Sequence, residues 1–184
     1  MMVLFFFCYD IIKMVNSMSE FIPNMYKKDI FSIDYSFLKE KGIKVLLFDF
    51  DNTLIEKGNY IINDKTIKLI SKLKKDFIVY ILSNSIHKNK IKKVSEKLNI
   101  PYISGSRKPF KTGFKKLKLD AKEQEIAMIG DQLLTDVLGG NRMNYYTILI
   151  DPINYNEIIF TKINRVFERV ILNMVKVKRG EYYD

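Results

Sequence analysis

Hydrophobic residues along the chain fall into two alternating patterns. Four short, nearly continuous apolar runs stand out: Ile43–Asp49 after Gly42, Phe77–Leu82, Ile126–Ile129 and Tyr145–Ile150, with a shorter candidate at Ile100–Ile103. Uninterrupted apolar runs of this length suit strands buried on both faces, as in a parallel sheet. Between them the apolar spacing changes to that of helices. Ile67, Ile70 and Leu73 share one face, with Asn63 or Asp64 as the N-cap; Ile91, Val94 and Leu98 share another, leaving Lys92, Lys93 and Lys97 to water. Phe110, Phe114 and Leu117 form a third stripe. A fourth helix, Leu133 to Leu138, is expected to end at Gly139-Gly140, with Asn144 taking a left-handed turn before the next strand. Regular alternation of strand and helix predicts a doubly wound α/β fold with a mostly parallel sheet.

The two ends read differently. The apolar run from Val3 to Tyr9 is too short to span a bilayer and lacks the flanks of a secretory signal. Residues 1–17 are therefore an extension: a short anchor, a packed segment or an artefact of start-codon choice, with Met14 and Met18 as other starts. Residues 18–184 make one domain. Near the C-terminus Ile159, Ile163, Val166, Phe167, Val170, Ile171 and Met174 line one face of a long helix, and Lys162, Arg165, Arg169 and Lys176 line a second. That helix either packs on the sheet with a solvated basic face or meets anionic headgroups.

Composition narrows the chemistry. With 184 residues, one Cys (Cys8) and one His (His87), the chain has no disulfide framework, no Cys-rich zinc site and poor means for a Ser-His-Asp triad. Cys8 reads as an inert thiol and His87 as a surface residue at a helix start. A net charge of +10, from 31 basic and 21 acidic side chains, points to an anionic partner or to codon bias. Hydrolytic chemistry must rest on carboxylates, lysines and hydroxyls.

Such groups gather where the strands end. Asp49-Phe-Asp-Asn-Thr-Leu54 follows the first strand directly, and in open α/β sheets ligands bind at the carboxyl ends of strands. Two acids one residue apart can divide phosphoryl transfer, one attacking phosphorus and the other moving the proton. Ser83, with Asn84 next to it, follows the second strand and can hold phosphate oxygens. Lys108, in Arg107-Lys-Pro-Phe110, precedes a helix where an ammonium neutralises a transferring phosphoryl group. Gly130-Asp-Gln-Leu-Leu-Thr-Asp136 adds two carboxylates after the next strand, and Asp131 with Asp49 suits an all-oxygen Mg²⁺ site.

This constellation resembles the four motifs of the haloacid dehalogenase (HAD) superfamily of phosphotransferases. The resemblance implies a nucleophilic Asp49 that forms an aspartyl-phosphate, Asp51 as acid/base, Ser83 and Lys108 on the phosphate, and Asp131 and Asp136 at Mg²⁺ or holding Lys108. The wider metal set it implies is Asp49, Asp51, Asp131 and Asp136. The runs Phe48–Leu54, Arg107–Phe110, Gly130–Arg142 and Ile163–Arg165 with Glu168-Arg169 are similar to the YqeG-type, subclass IIIA phosphatases over about residues 18–180. Asn144 departs mildly from that pattern, in which Gly is usual.

Substrate size follows from spacing. Residues 54–82 and 84–107 leave room for a helix and a strand each, not for a large cap domain. A site without a cap excludes water poorly unless the substrate covers it, which favours a lipid headgroup, a protein or a nucleic acid end. The resemblance extends to mitochondrial phosphatidylglycerophosphate phosphatases. The expectation is a cytoplasmic, Mg²⁺-dependent phosphomonoesterase acting on phosphatidylglycerophosphate, with possible peripheral membrane contact and no specific nucleic acid binding. Two alternatives stand beside it: the same chemistry on a nucleotide, sugar phosphate, nucleic acid end or phosphoprotein, and a non-enzymatic RNA- or ribosome-binding module. A response-regulator receiver is disfavoured because no acidic pair ends an earlier strand.

Overall fold

A computed structural model describes residues 18–59, 61–117, 119–154, 170–175, 177 and 180–184. The strands are β1 (Met25–Lys27), β2 (Val45–Phe48), β3 (Ile78–Leu82), β4 (Tyr102–Ile103), β5 (Ile126–Gly130) and β6 (Tyr146–Ile150). They form one six-stranded sheet in the order β1-β6-β5-β2-β3-β4, with every neighbouring pair parallel. From β2 the chain steps outward to β3 and β4, then returns to the other side of β2 to lay down β5 and β6. The reversal point lies between β2 and β5, and a crevice opens there at the carboxyl edge.

Side chains alternate across the sheet as a parallel arrangement buried on both faces requires. Leu46, Phe48, Val79, Ile81, Ala127, Ile129, Ile148 and Ile150 point into one core. There they meet Leu38 of α1 (Tyr35–Glu40), Ile70 and Leu73 of α2 (Asp64–Leu73), and Ile91, Val94 and Leu98 of α3 (Lys88–Leu98). On the opposite face Val45, Leu47, Leu82, Ile126 and Met128 pack on Phe114, Leu117 and Tyr145. Phe21, Tyr26, Leu149, Leu172 and Val177 continue that layer. The Asn63 side chain caps α2 by accepting from the Thr66 N–H at 2.7 Å.

Several expectations change. β1 and α1 lie in a segment without readable periodicity; three residues are too few to show a pattern, although Asp34 caps α1 through the N–H groups of Ser36 and Phe37. The third stripe shortens to α4 (Lys111–Phe114), in which Phe114 is buried while Phe110, just before it, turns outward. Asn144 does adopt a left-handed φ of 58° before β6. Of the long C-terminal helix, residues 155–169 lie outside the described set; 170–174 are helical, and there Leu172 is buried while Val170 and Met174 are exposed, which corrects the proposed apolar face. Residues 1–17 also lie outside the described set.

The glycine pair does not end its helix. A π-helical turn at Leu133–Val137 runs directly into α5 (Leu138–Arg142), which contains both glycines. They allow close packing rather than termination. A Cβ on Gly140 would sit 2.6 Å from Thr147 Cγ2 and 3.1 Å from Met128 Cβ, and one on Gly139 would sit 2.8 Å from the Phe114 ring. Gly140→Ala is expected to lower stability by about 1–3 kcal/mol, the usual range for overpacking. Urea unfolding checks this: the midpoint should fall with an unchanged slope, and an unchanged midpoint would show that the helix can shift without loss.

Candidate active site

The crevice between β2 and β5 carries the chemistry. Asp49 directly follows β2, and its backbone N–H is tied to Ile129 O at 2.9 Å. Asp131 follows β5, and Asp136 lies in the π-helical turn beyond it. Carboxylate oxygens of these three residues lie within 4.8 Å of one another, and all three residues are buried.

Lys108 enters this cluster from the loop after β4. Its Nζ donates to Asp49 Oδ1 at 2.5 Å and to the Leu82 carbonyl at 2.7 Å, and it forms an ion pair with Asp136 Oδ1 at 2.7 Å. Two of the three donors of the ammonium are thus taken by protein acceptors. Burial alone would drive the Lys108 proton off, but the Asp136 and Asp49 charges outweigh it and hold the ammonium above its ordinary value. Burial raises Asp136 in spite of Lys108. Its Oδ2 accepts from the Gln132 N–H at 3.1 Å, while its Oδ1 faces the Lys108 ammonium without a hydrogen bond.

Local backbone explains the reach of these groups. Gly130 is required beneath Asp136, since a Cβ there would fall 2.2 Å from Asp136 Oδ2. Gly113 lies against the loop that delivers Lys108, where a Cβ would fall 1.4 Å from the Ser106 carbonyl oxygen. Arg107 has a positive φ of 58°, so the loop turns sharply as Lys108 goes inward and Phe110 goes out. Asn84 fixes this loop. Its Oδ1 accepts from the Lys108 N–H at 2.7 Å and from Ser106 Oγ at 2.8 Å, and its Nδ2 donates to the Lys108 carbonyl at 2.9 Å.

The remaining sequence candidates surround the cluster. Ser83 ends β3 fully buried, and its Oγ accepts from the Ser85 N–H at 3.0 Å. Asp51 is half-buried and its carboxylate is not among the three gathered oxygens. Burial, followed by the Asp49 charge, raises its proton affinity, while Lys57, Lys108 and His87 oppose this. Asp51 is therefore the group in the crevice best suited to carry a proton. His87 is exposed at the start of α3 and makes no side-chain cap, as its sequence position suggested.

Asn52 was not singled out from sequence, yet it shapes the site. It is buried at a φ of 61°, its Oδ1 accepts from the Lys57 N–H at 3.1 Å, and its carbonyl accepts from the Ile153 N–H at 3.0 Å. The signal was present in its type: Asn tolerates the left-handed conformation and bonds its own backbone neighbours.

Three buried carboxylates with one ammonium leave excess negative charge among hard oxygen donors. That donor set fits a hard divalent cation.

Comparison with known proteins agrees with this geometry. The family model described as mitochondrial PGP phosphatase matches residues 8–154. The chain belongs to this family. "Probable phosphatase YqeG" of Bacillus subtilis (strain 168) is 37% identical over 160 residues, covering 86% of this chain and 93% of that protein. "Phosphatidylglycerophosphate phosphatase 1, chloroplastic/mitochondrial" of Arabidopsis thaliana is 30% identical over 166 residues, covering 84% of this chain but 47% of the plant protein. Among solved structures, the magnesium-bound HAD-hydrolase YfnB from Bacillus subtilis shares the fold with a TM-score of 0.50 at 15% identity, covering 64% of this chain and 91% of that one. The family member described here is thus a phosphatase, and it has the expected α/β fold. No cap-sized insertion separates its motifs: between Thr53 and Ser83 lie only α2 and β3, and between Ser83 and Lys108 only α3 and β4.

The charge excess predicts how the site responds to metal. In chelator, Asp131→Asn should melt at or above the parent temperature, because one uncompensated buried charge is gone. Added Mg²⁺, used as the probe, should raise the melting temperature of the parent and leave the variant nearly unmoved. A variant that melts lower in chelator yet keeps the full Mg²⁺ shift would remove Asp131 from the metal site.

Proposed function

We propose that the protein is a Mg²⁺-dependent phosphomonoesterase that works through an aspartyl-phosphate on Asp49 and acts on phosphatidylglycerophosphate. The observation that carries this reading is the buried Asp49–Lys108–Asp136 chain beside Asp131, with half-buried Asp51 at its outer side.

Lys108 orients Asp49 by holding one of its oxygens. A carboxylate oxygen of Asp49 attacks phosphorus in line as the bond from phosphorus to the ester oxygen breaks. Asp51 hands its proton to the departing alkoxide. Water then attacks phosphorus with Asp51 taking its proton, the Asp49–phosphorus bond breaks, and inorganic phosphate leaves with Asp49 restored. Ser83 and backbone N–H groups at the carboxyl edge bind the phosphate oxygens. Lys108, held by Asp49, Asp136 and the Leu82 carbonyl, acts on the phosphate as a fixed positive charge. Asn84 holds the Lys108 loop with one N–H of its amide and with Oδ1, and its second N–H can donate to a phosphate oxygen. Asp49 and Asp131 would hold the cation, with Asp136 chiefly anchoring Lys108. When bound, the cation supplies neutralisation of the phosphoryl oxygens.

The substrate reading rests on the missing cap and on the relatives. Small metabolites need a lid that excludes water; short crossovers leave that task to a large substrate or its surroundings. The plant relative is named as a phosphatidylglycerophosphate phosphatase. Family membership removes support from the non-enzymatic RNA-binding alternative.

Phosphate release from phosphatidylglycerophosphate in mixed micelles with Mg²⁺ tests the proposal. Turnover should vanish with chelator, fall by a factor of about 10³ or more in Asp49→Asn, and fall about 10²–10⁴-fold in Asp51→Asn. Asp49-dependent hydrolysis of an aryl phosphate without release from the lipid would keep the chemistry and discard the substrate.

A further inference from the structure

Among the described residues, the three most exposed large apolar side chains are Ile86 at 80%, Ile61 at 79% and Phe110 at 61%. No other large apolar side chain exceeds 52%, and a fourth on the same edge, Ile153, is at 50%. All four stand on loops that leave the carboxyl ends of strands. Ile61 lies between β2 and α2, Ile86 between β3 and α3, Phe110 between β4 and α4, and Ile153 follows β6. Hydrogen bonds tie these loops to one another. The Ile153 N–H reaches Asn52 O at 3.0 Å, Asn84 grips both sides of Lys108, and Gly105 N–H reaches Ser85 O at 3.0 Å. The charges of Lys57 and His87 act on Asp51, which places both loops at the active-site mouth.

These loops and the helix starts that follow them are basic. Lys57, Lys88, Arg107 and Lys111 are exposed, and among the described residues no carboxylate pairs with Lys88, Arg107 or Lys111. Of the acids nearby, Glu56 accepts from Asn154, Asp151 accepts from the hydroxyls of Tyr26 at 2.6 Å and Tyr182 at 2.7 Å, Glu20 beside Phe110 pairs with Arg142 at 3.0 Å, and Asp64 is exposed at the start of α2. The edge therefore presents separate apolar points set among positive charges. A protein partner is usually met by a continuous apolar centre, and single-stranded nucleic acid by stacking aromatics; three of these four residues are isoleucine. Isolated aliphatic and aromatic points with cations beside them match the acyl–headgroup boundary of an anionic bilayer.

We propose that this active-site edge is a membrane-binding face. Ile61, Ile86, Phe110 and Ile153 enter the boundary of an anionic bilayer while Lys57, Lys88, Arg107 and Lys111 meet its headgroups. The face deepens the lipid reading above and turns the Asp49 crevice toward headgroup phosphates, but its presence is measured without turnover.

The chain contains no tryptophan, so Phe110→Trp places a single fluorescent reporter on the proposed face. With the full chain and vesicles of equal phosphatidylcholine and phosphatidylglycerol, its emission should shift to the blue and be quenched by brominated acyl chains; phosphatidylcholine vesicles alone should produce neither change. Adding Ile61→Asn and Ile86→Asn should lower vesicle partitioning roughly tenfold or more and leave hydrolysis of a soluble aryl phosphate unchanged. The proposal is overturned if the protein fails to sediment with anionic vesicles, or sediments with the reporter unshifted and unquenched. It is likewise overturned if a single-stranded oligonucleotide competes the protein off the vesicles and shifts the reporter equally. Loss of the phosphatase reading would appear separately, as absent aryl phosphate hydrolysis in the parent.

Discussion

A single buried ammonium organises the catalytic edge. Lys108 Nζ joins Asp49 after β2, the last carbonyl of β3 at Leu82, and Asp136 in the turn after β5, so one cation fastens three segments that meet at the reversal of strand order. Without it, three carboxylates would lie within 4.8 Å of one another in a buried site, an arrangement whose desolvation and repulsion the sheet alone does not offset. Much of the neighbouring detail follows from delivering that ammonium. Asn84 clamps the loop, Gly113 lets a short helix press against it, and Gly130 leaves room for Asp136.

This dependence also divides the labour among residues that look alike in sequence. Asp49 accepts from Lys108, whereas Asp136 pairs with the same ammonium through Oδ1 and holds the Gln132 N–H with Oδ2. Burial raises the proton affinity of Asp51 as it does that of Asp136, but Asp51 is half-buried and outside the three-carboxylate group. Environment thus separates an acid open enough to exchange a proton from an acid held by a partner, although each is an Asp near a strand end.

Legibility in the sequence followed the length and symmetry of each signal. β2, β3, β5 and β6 are buried on both faces and appear as apolar runs, so their positions were readable to within about two residues. Asp49, Asp51, Ser83, Lys108, Asp131 and Asp136 were readable because the strands that carry them were. β1 was not, since three residues at a sheet edge have no period to detect. Nor was the course of the chain through Gly139-Gly140, because a glycine needed for contact with Thr147 looks the same in sequence as one that stops a helix. Phe110 was assigned to a core stripe by spacing, yet the inward turn of Lys108 two residues earlier rotates it to the surface. The clamp role of Asn84 depends on a partner 24 residues away, and no local pattern records that.

Exposure rises steeply across the catalytic edge. Asp131 is fully buried, Asp51 is half-buried, and Lys57, Ile61 and Ile86 are exposed. Crossovers of minimal length create this gradient: with one helix and one strand between motifs, these crossovers have nothing left to fold over the crevice. The phosphoryl transfer proposed at Asp49 would nevertheless gain from a dry, low-dielectric surrounding, in which the Lys108 charge is felt at full strength. Asp49 obtains part of that dryness from its depth in the crevice. The rest has to come from whatever approaches, and the groups that greet it are aliphatic points among cations. The chemistry of the rim and the absence of a cap are thus two consequences of one economy of chain, in which the surface that meets the substrate also completes the site.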